Sequence, residues 1–117
     1  MSSNGATIKA LWMEGPSITI LAEESRKFIG HKVLRGEGNS KLFDSSSLRG
    51  QKLINIVTWG KHFILVFDRV TLKIHFMLFG SYTVDNPKVG RTARLSARFK
   101  NGTLHMYACS IRPVALS

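Results

Sequence analysis

Between Pro16 and Ile29 the apolar and small residues Ile18, Leu21, Ala22, Ser25, Phe28 and Ile29 recur on one side of a helical wheel. That period of about 3.6 predicts an amphipathic helix. Pro16 suits the first helical turn, where its missing N–H is not needed. Gly30 suits the left-handed residue that stops a helix. From His31 the period shortens to two. Leu53 to Trp59 and His62 to Phe67 predict two strands joined at Gly60-Lys61, with Gly60 supplying a positive φ. Asp68 to Thr71 predicts a turn, Leu72 to Met77 a strand, and Tyr82 to Val84 its continuation after Gly80. Thr92 to Phe99 and Thr103 to Ile111 flank Asn101-Gly102, a strong hairpin signal. The Ser-rich stretch 39–51 carries no clear period. One helix followed by about six or seven antiparallel strands predicts a mostly β (α+β) fold, an antiparallel β-sandwich with a flanking N-terminal helix.

Ala93, Leu95, Ala97 and Phe99 alternate with Arg94, Ser96, Arg98 and Lys100. This predicts a basic ridge on the solvent face of a strand. It serves either a polyanion or an edge strand charged against aggregation.

Charge strengthens the first option. The 117 residues hold 17 Lys and Arg against 7 Asp and Glu, a net charge of +10. No acid follows Asp85, whereas Lys88, Arg91, Arg94, Arg98, Lys100 and Arg112 do. Clustered cations are the footprint of a nucleic-acid binder, because each neutralised phosphate releases counterions. A merely basic soluble protein, or a β-protein binding RNA through the ridge, is the plainer reading. An apolar content of 44% excludes wholesale disorder. No apolar run reaches the roughly 18 residues of a membrane span, and no secretory signal is visible. The single cysteine, Cys109, points to a reducing, cytoplasmic compartment. Cys109 and His31, His62, His75 and His105 show no ligand spacing, so no metal is expected.

Three segments, in order, resemble the N-terminal domain of the formamidopyrimidine-DNA glycosylase / endonuclease VIII family. Met13-Glu14-Gly15-Pro16-Ser17-Ile18 is similar to the family's Pro-Glu-Gly-Pro start, which enters a helix directly. Trp59-Gly60-Lys61-His62-Phe63-Ile64-Leu65 resembles its Arg-Gly-Lys hairpin and the apolar strand that follows. The segment from Leu72 to Tyr82, with His75 and Gly80, resembles the strand–His–loop–Gly stretch that carries DNA-wedging residues. The resemblance spans 13–114, leaving 1–12 as a flexible N-terminal extension and 13–117 as the glycosylase-type domain. The family's helix–two-turn–helix and zinc-finger domains would lie beyond residue 117, so no cofactor is expected in this chain.

The resemblance implies base-excision repair of double-stranded DNA carrying a damaged base or abasic site, by a monomer that flips the nucleotide out of the stack. In such enzymes a terminal proline amine attacks the sugar's anomeric carbon, the base leaves, and elimination from the Schiff base cuts the strand. Glu14 matches the glutamate that protonates the ring oxygen; taken alone it is an acid favoured at a helix N-terminus. Met13 occupies the proline's place, and with residues 1–12 before it its nitrogen is a non-basic amide. Ser17 replaces a glutamate common in relatives. Lys61 matches the hairpin lysine aimed at the lesion and its phosphates, and is the candidate should another amine replace the lost one; otherwise it is a solvated turn lysine. Met77, Leu78 and Phe79 match the loop that fills the hole left by a flipped base, or else are core. His75 matches a strand-end histidine with a hydrogen-bonding role. Arg94 and Arg98 carry the ridge, and Arg112 lies where some relatives place an intercalating arginine. Two functions remain open: a glycosylase and abasic-site lyase, or a catalytically inactive module that binds damaged DNA.

Overall fold

The computed structural model describes residues 15–115. Among them, helix α1 (Gly15–Ser25) precedes six strands: β1 (Arg35–Glu37), β2 (Leu53–Trp59), β3 (His62–Phe67), β4 (Thr71–Val84), β5 (Leu95–Phe99) and β6 (Gly102–Val114). All neighbours pair antiparallel, in the order β1-β5-β6-β4-β3-β2. The expected class holds: mostly antiparallel β with one short helix.

The long strands β4 and β6 bring the sheet's two halves onto one core. Their register runs unbroken from Thr71↔Val114 to Phe76↔Cys109, shifts, and resumes at Ser81↔Tyr107. Strands that turn a corner do so at bulges. Before the shift β4 pairs with β3, which leads to β2; after it β6 pairs with β5, which leads to β1. Leu65, Leu72 and Ile74 from the first half and Leu95, Ala97 and Leu104 from the second share one apolar cluster.

Ile18, Leu21, Ala22 and Ser25 are the buried face of α1, as the period predicts. The α-helix stops at Ser25, short of the expected Ile29. A 3-10 turn, Arg26–Phe28, follows, and Ile29 is already extended. Gly30 takes φ 90°, and its N–H donates to Leu53 O at 2.7 Å, laying the chain beside β2. Phe28 stacks on Phe99 with ring centroids 4.6 Å apart; burying one such ring contributes about 1.5–3 kcal/mol. The Tyr82 hydroxyl, held protonated by burial and by Glu24, donates to the Glu24 carboxylate and ties the end of α1 to β4.

Three further expectations need correction. The strands expected at 72–77 and 82–84 are one strand with a bulge, because backbone pairing resumes after Gly80. The last hairpin turns at Lys100-Asn101, and Gly102 already pairs with Phe99. Gly102 has φ 145°, and a Cβ there would collide with the Asp85 carboxylate. The strand expected from Thr92 begins at Leu95 and is not an edge, since β1 covers it. The Ser-rich stretch holds a 3-10 turn, Ser45–Leu48, capped by Asp44, whose carboxylate accepts from Ser46 N at 3.1 Å.

Candidate nucleic-acid interface

The β2–β3 hairpin closes as its sequence predicts. Trp59 pairs with His62 across a two-residue turn in which Gly60 has φ 60° and Lys61 is exposed at the tip. Strand alternation then sets one outward row: Trp59, His62 opposite, His75 next on β4, and Ser110 on β6. The His62 and His75 rings lie 5.3 Å apart, and Trp59 reaches His62 at 6.1 Å. One row along, Lys73 faces Arg112. Lys61, His75 and Arg112 therefore belong to one outward face, with Lys73 and His62 added to it by the register.

That row runs directly into the bulge. Met77, Leu78 and Phe79 are 48%, 60% and 59% exposed, so the core alternative does not apply to them. Phe79 is held at φ 67° and Ala108, on the facing strand, at φ 51°. A left-handed backbone costs a non-glycine residue about 1–2 kcal/mol, and such strain collects at functional sites. Gly80 makes the turn possible: a Cβ there would lie 2.8 Å from Met77 O and 2.9 Å from Ala108 O.

Beyond the bulge, segment 85–91 is fastened down. Lys88 N donates to the Tyr107 hydroxyl at 2.8 Å and Lys88 Nζ to Ser81 Oγ at 2.6 Å. Burial first, and Arg91 second, lower the Lys88 pKa from its ordinary value.

A cavity of about 150 Å³ beside the bulge is lined by Lys41, Leu42, Met77, Arg94, Cys109 and Ser110. Arg94 thus joins the wedge. Arg98 does not; it lines a separate groove with Arg35 and Arg91. The ridge expected along one strand is therefore divided between two cavities. Sequence reasoning missed Lys41, Leu42 and Trp59. Trp59 is 70% exposed, an unusual position for so large an apolar surface. Lys41 and Leu42 are placed by Asn39 N→Ala93 O and Ser40 N→Arg94 O, both 3.2 Å, which no local pattern announces.

Met13 and Glu14, and the expected 1–12 extension, lie outside the described residues. Among the described residues no group of three His, Cys, Asp or Glu could hold a metal ion, and no helix is long and apolar enough to cross a membrane.

The arrangement is a cationic tip and face leading to an exposed apolar triplet. Phosphates fit the first, and an opened base step fits the second. The sequence profile of the formamidopyrimidine-DNA glycosylase N-terminal domain matches residues 5–112. No curated protein sequence matches. Among solved structures, the Lactococcus lactis formamidopyrimidine-DNA glycosylase bound non-covalently to DNA containing an abasic site superposes with a TM-score of 0.73 at 20% identity, over 86% of this chain and 45% of that one. A MutM complex with DNA containing carbocyclic 8-oxo-G gives 0.74 at 19% identity, over 86% and 44%. The same L. lactis enzyme, as a G226P mutant with Fapy-dG DNA, gives 0.73 at 18%, over 86% and 43%. The chain spans less than half the length of these solved glycosylases.

Proposed function

This chain belongs to the family of formamidopyrimidine-DNA glycosylase N-terminal domains, and we propose that it is the lesion-reading domain of a base-excision repair glycosylase acting on double-stranded DNA with a damaged base or abasic site. The observation that carries this reading is the bulge. It holds three apolar side chains in solvent, against backbone strain, two residues beyond His75 and beside the Lys61 hairpin. In this reading Lys61, His75 and Arg112 hold phosphates. Met77, Leu78 and Phe79 enter the gap left by the extruded nucleotide, and Arg94 backs the wedge from its cavity. Met77 and Phe79 also exclude water from the opened step, where a nucleotide held out of the stack is accessible to chemistry.

The glycosylase chemistry is assigned to Glu14 and a neighbouring amine. Glu14 protonates the ring oxygen as the amine attacks the anomeric carbon; the base departs, and loss of the C2′ proton of the Schiff base expels the 3′ phosphate from C3′. Met13 favours a second reading, a damage binder without catalysis, because the amide nitrogen at that position has no lone pair free to attack.

Borohydride trapping on a duplex with one abasic site separates the two, comparing this chain with a form starting at Met13. An adduct from the Met13 form alone makes the terminal amine the nucleophile. An adduct from both forms that disappears in Lys61→Ala makes Lys61 the nucleophile. No adduct, with abasic-duplex binding intact, establishes the non-catalytic reading. No adduct and no binding contradicts both.

A further inference from the structure

On the second half of the sheet lies a groove of about 670 Å³. Its floor is the cross-strand pair Ser96 and His105. Arg35, Arg91 and Arg98 are among the residues that line it. Arg35 and Arg98 sit directly opposite each other in the β1–β5 register. Like charges at such positions destabilise a sheet; Glu37 offsets the charge of Arg35, and an anion beside Arg98 offsets the other.

The acids nearby are already engaged. Glu37 pairs with Arg35 at 2.7 Å. Asp85 pairs with Lys27 at 3.7 Å and accepts from Thr103 N at 3.1 Å. Among the described residues Arg91 and Arg98 have no carboxylate partner. The floor carries no negative charge. His105 Nε2 lies 3.1 Å from the Asp85 backbone oxygen, which can only accept. In the neutral ring Nδ1 then accepts the Ser96 hydroxyl proton, at 2.6 Å.

We infer that this groove binds a phosphodiester segment of single-stranded nucleic acid through Arg91 and Arg98. The inference rests on the reading that the chain binds DNA and adds a second contact surface to it. A groove of this volume takes one phosphodiester backbone. It offers no stacking platform: the Tyr107 ring is buried, with Lys88 and Arg91 above it at 5.5 and 5.9 Å. Binding therefore rests on the backbone charge and is indifferent to base identity. Asn39 and Ala93 line the groove and their chain neighbours Ser40 and Arg94 line the wedge cavity, so a strand leaving the opened step is led toward the groove.

The test is fluorescence anisotropy of the whole chain with oligo-dT and oligo-dA of about ten nucleotides. Binding is expected to be equal for the two. In Arg91→Ala/Arg98→Ala it weakens by about tenfold or more, and the slope of log K against log salt falls by about 1.4, or 0.7 per phosphate. Arg98→Ala alone, which leaves the Tyr107 contact in place, loses about half of that slope. Unaltered affinity and slope in the double variant overturn the inference, as does full competition by inorganic phosphate at concentrations where longer oligonucleotides gain no affinity. Arginine-dependent oligonucleotide binding without any preference for an abasic duplex would sink the lesion-reading function and leave the groove standing. Abasic preference with no oligonucleotide binding does the reverse.

Discussion

Phe76 and Phe79 lie three positions apart on β4 and have opposite surroundings: Phe76 is 6% exposed in the core, and Phe79 is 59% exposed at φ 67°. The bulge between them converts a core strand into a wedge. Phe76→Ala is expected to cost about 3–5 kcal/mol of stability. Phe79→Gly is expected to stabilise by about 1 kcal/mol, since glycine adopts that backbone without strain, while weakening abasic-duplex binding by about tenfold. Urea unfolding and anisotropy on the two variants check this. A loss of stability in Phe79→Gly would assign Phe79 to packing.

Gly80→Ala tests the bulge itself. The added methyl meets Met77 O and Phe76 Cβ at 2.8 Å and Ala108 O at 2.9 Å, two of them backbone atoms. A cost of about 1–3 kcal/mol is expected, read as a lower Tm, together with loss of abasic-site discrimination. An unchanged Tm would show that the strand relaxes freely there.

Lys61 and His75 are surface side chains on one outward face, so their removal should leave folding alone. Lys61→Ala is expected to shift stability by less than about 0.5 kcal/mol and to reduce the salt slope of duplex binding by about 0.9, one phosphate contact. His75→Ala is expected to weaken duplex binding in the same sequence-independent way. A salt titration of each variant decides. A slope unchanged in Lys61→Ala returns that residue to the role of a solvated turn lysine.

Burial pushes the Cys109 thiol up to about 12, against a smaller opposing pull from Arg94. At pH 8 the native protein should therefore react with a thiol reagent roughly a thousandfold more slowly than free cysteine, and at the ordinary rate once unfolded. Fast native labelling would mean that the cavity beside Met77 opens readily.

Elements set by local pattern were legible in the sequence. The face of α1, the Gly60-Lys61 turn and the inward set Ala93, Leu95, Ala97 and Phe99 follow from periodicity and turn chemistry alone. The break at Met77–Phe79 was legible as broken alternation, but not as a bulge in a continuous strand, because resumption at Ser81 depends on Tyr107, far along the chain. β1 was hidden for the same reason. It has three residues, and among the described residues its strand partner is β5. Asn101-Gly102 misled because Gly102 already pairs with Phe99 and its positive φ serves close approach to Asp85. Of the site, the family motifs marked Lys61, His75 and the wedge. Lys41, Leu42 and the division of Arg94 from Arg98 arise only from tertiary register.

The measurement that bears most directly on the central claim is equilibrium binding of the chain to two duplexes identical except for one abasic site, at fixed salt. The account predicts a preference of at least about tenfold for the abasic duplex, equivalent to roughly 1.4 kcal/mol, lost in Phe79→Gly. Equal affinity for both duplexes would contradict it and leave a basic domain that holds nucleic acid without reading damage.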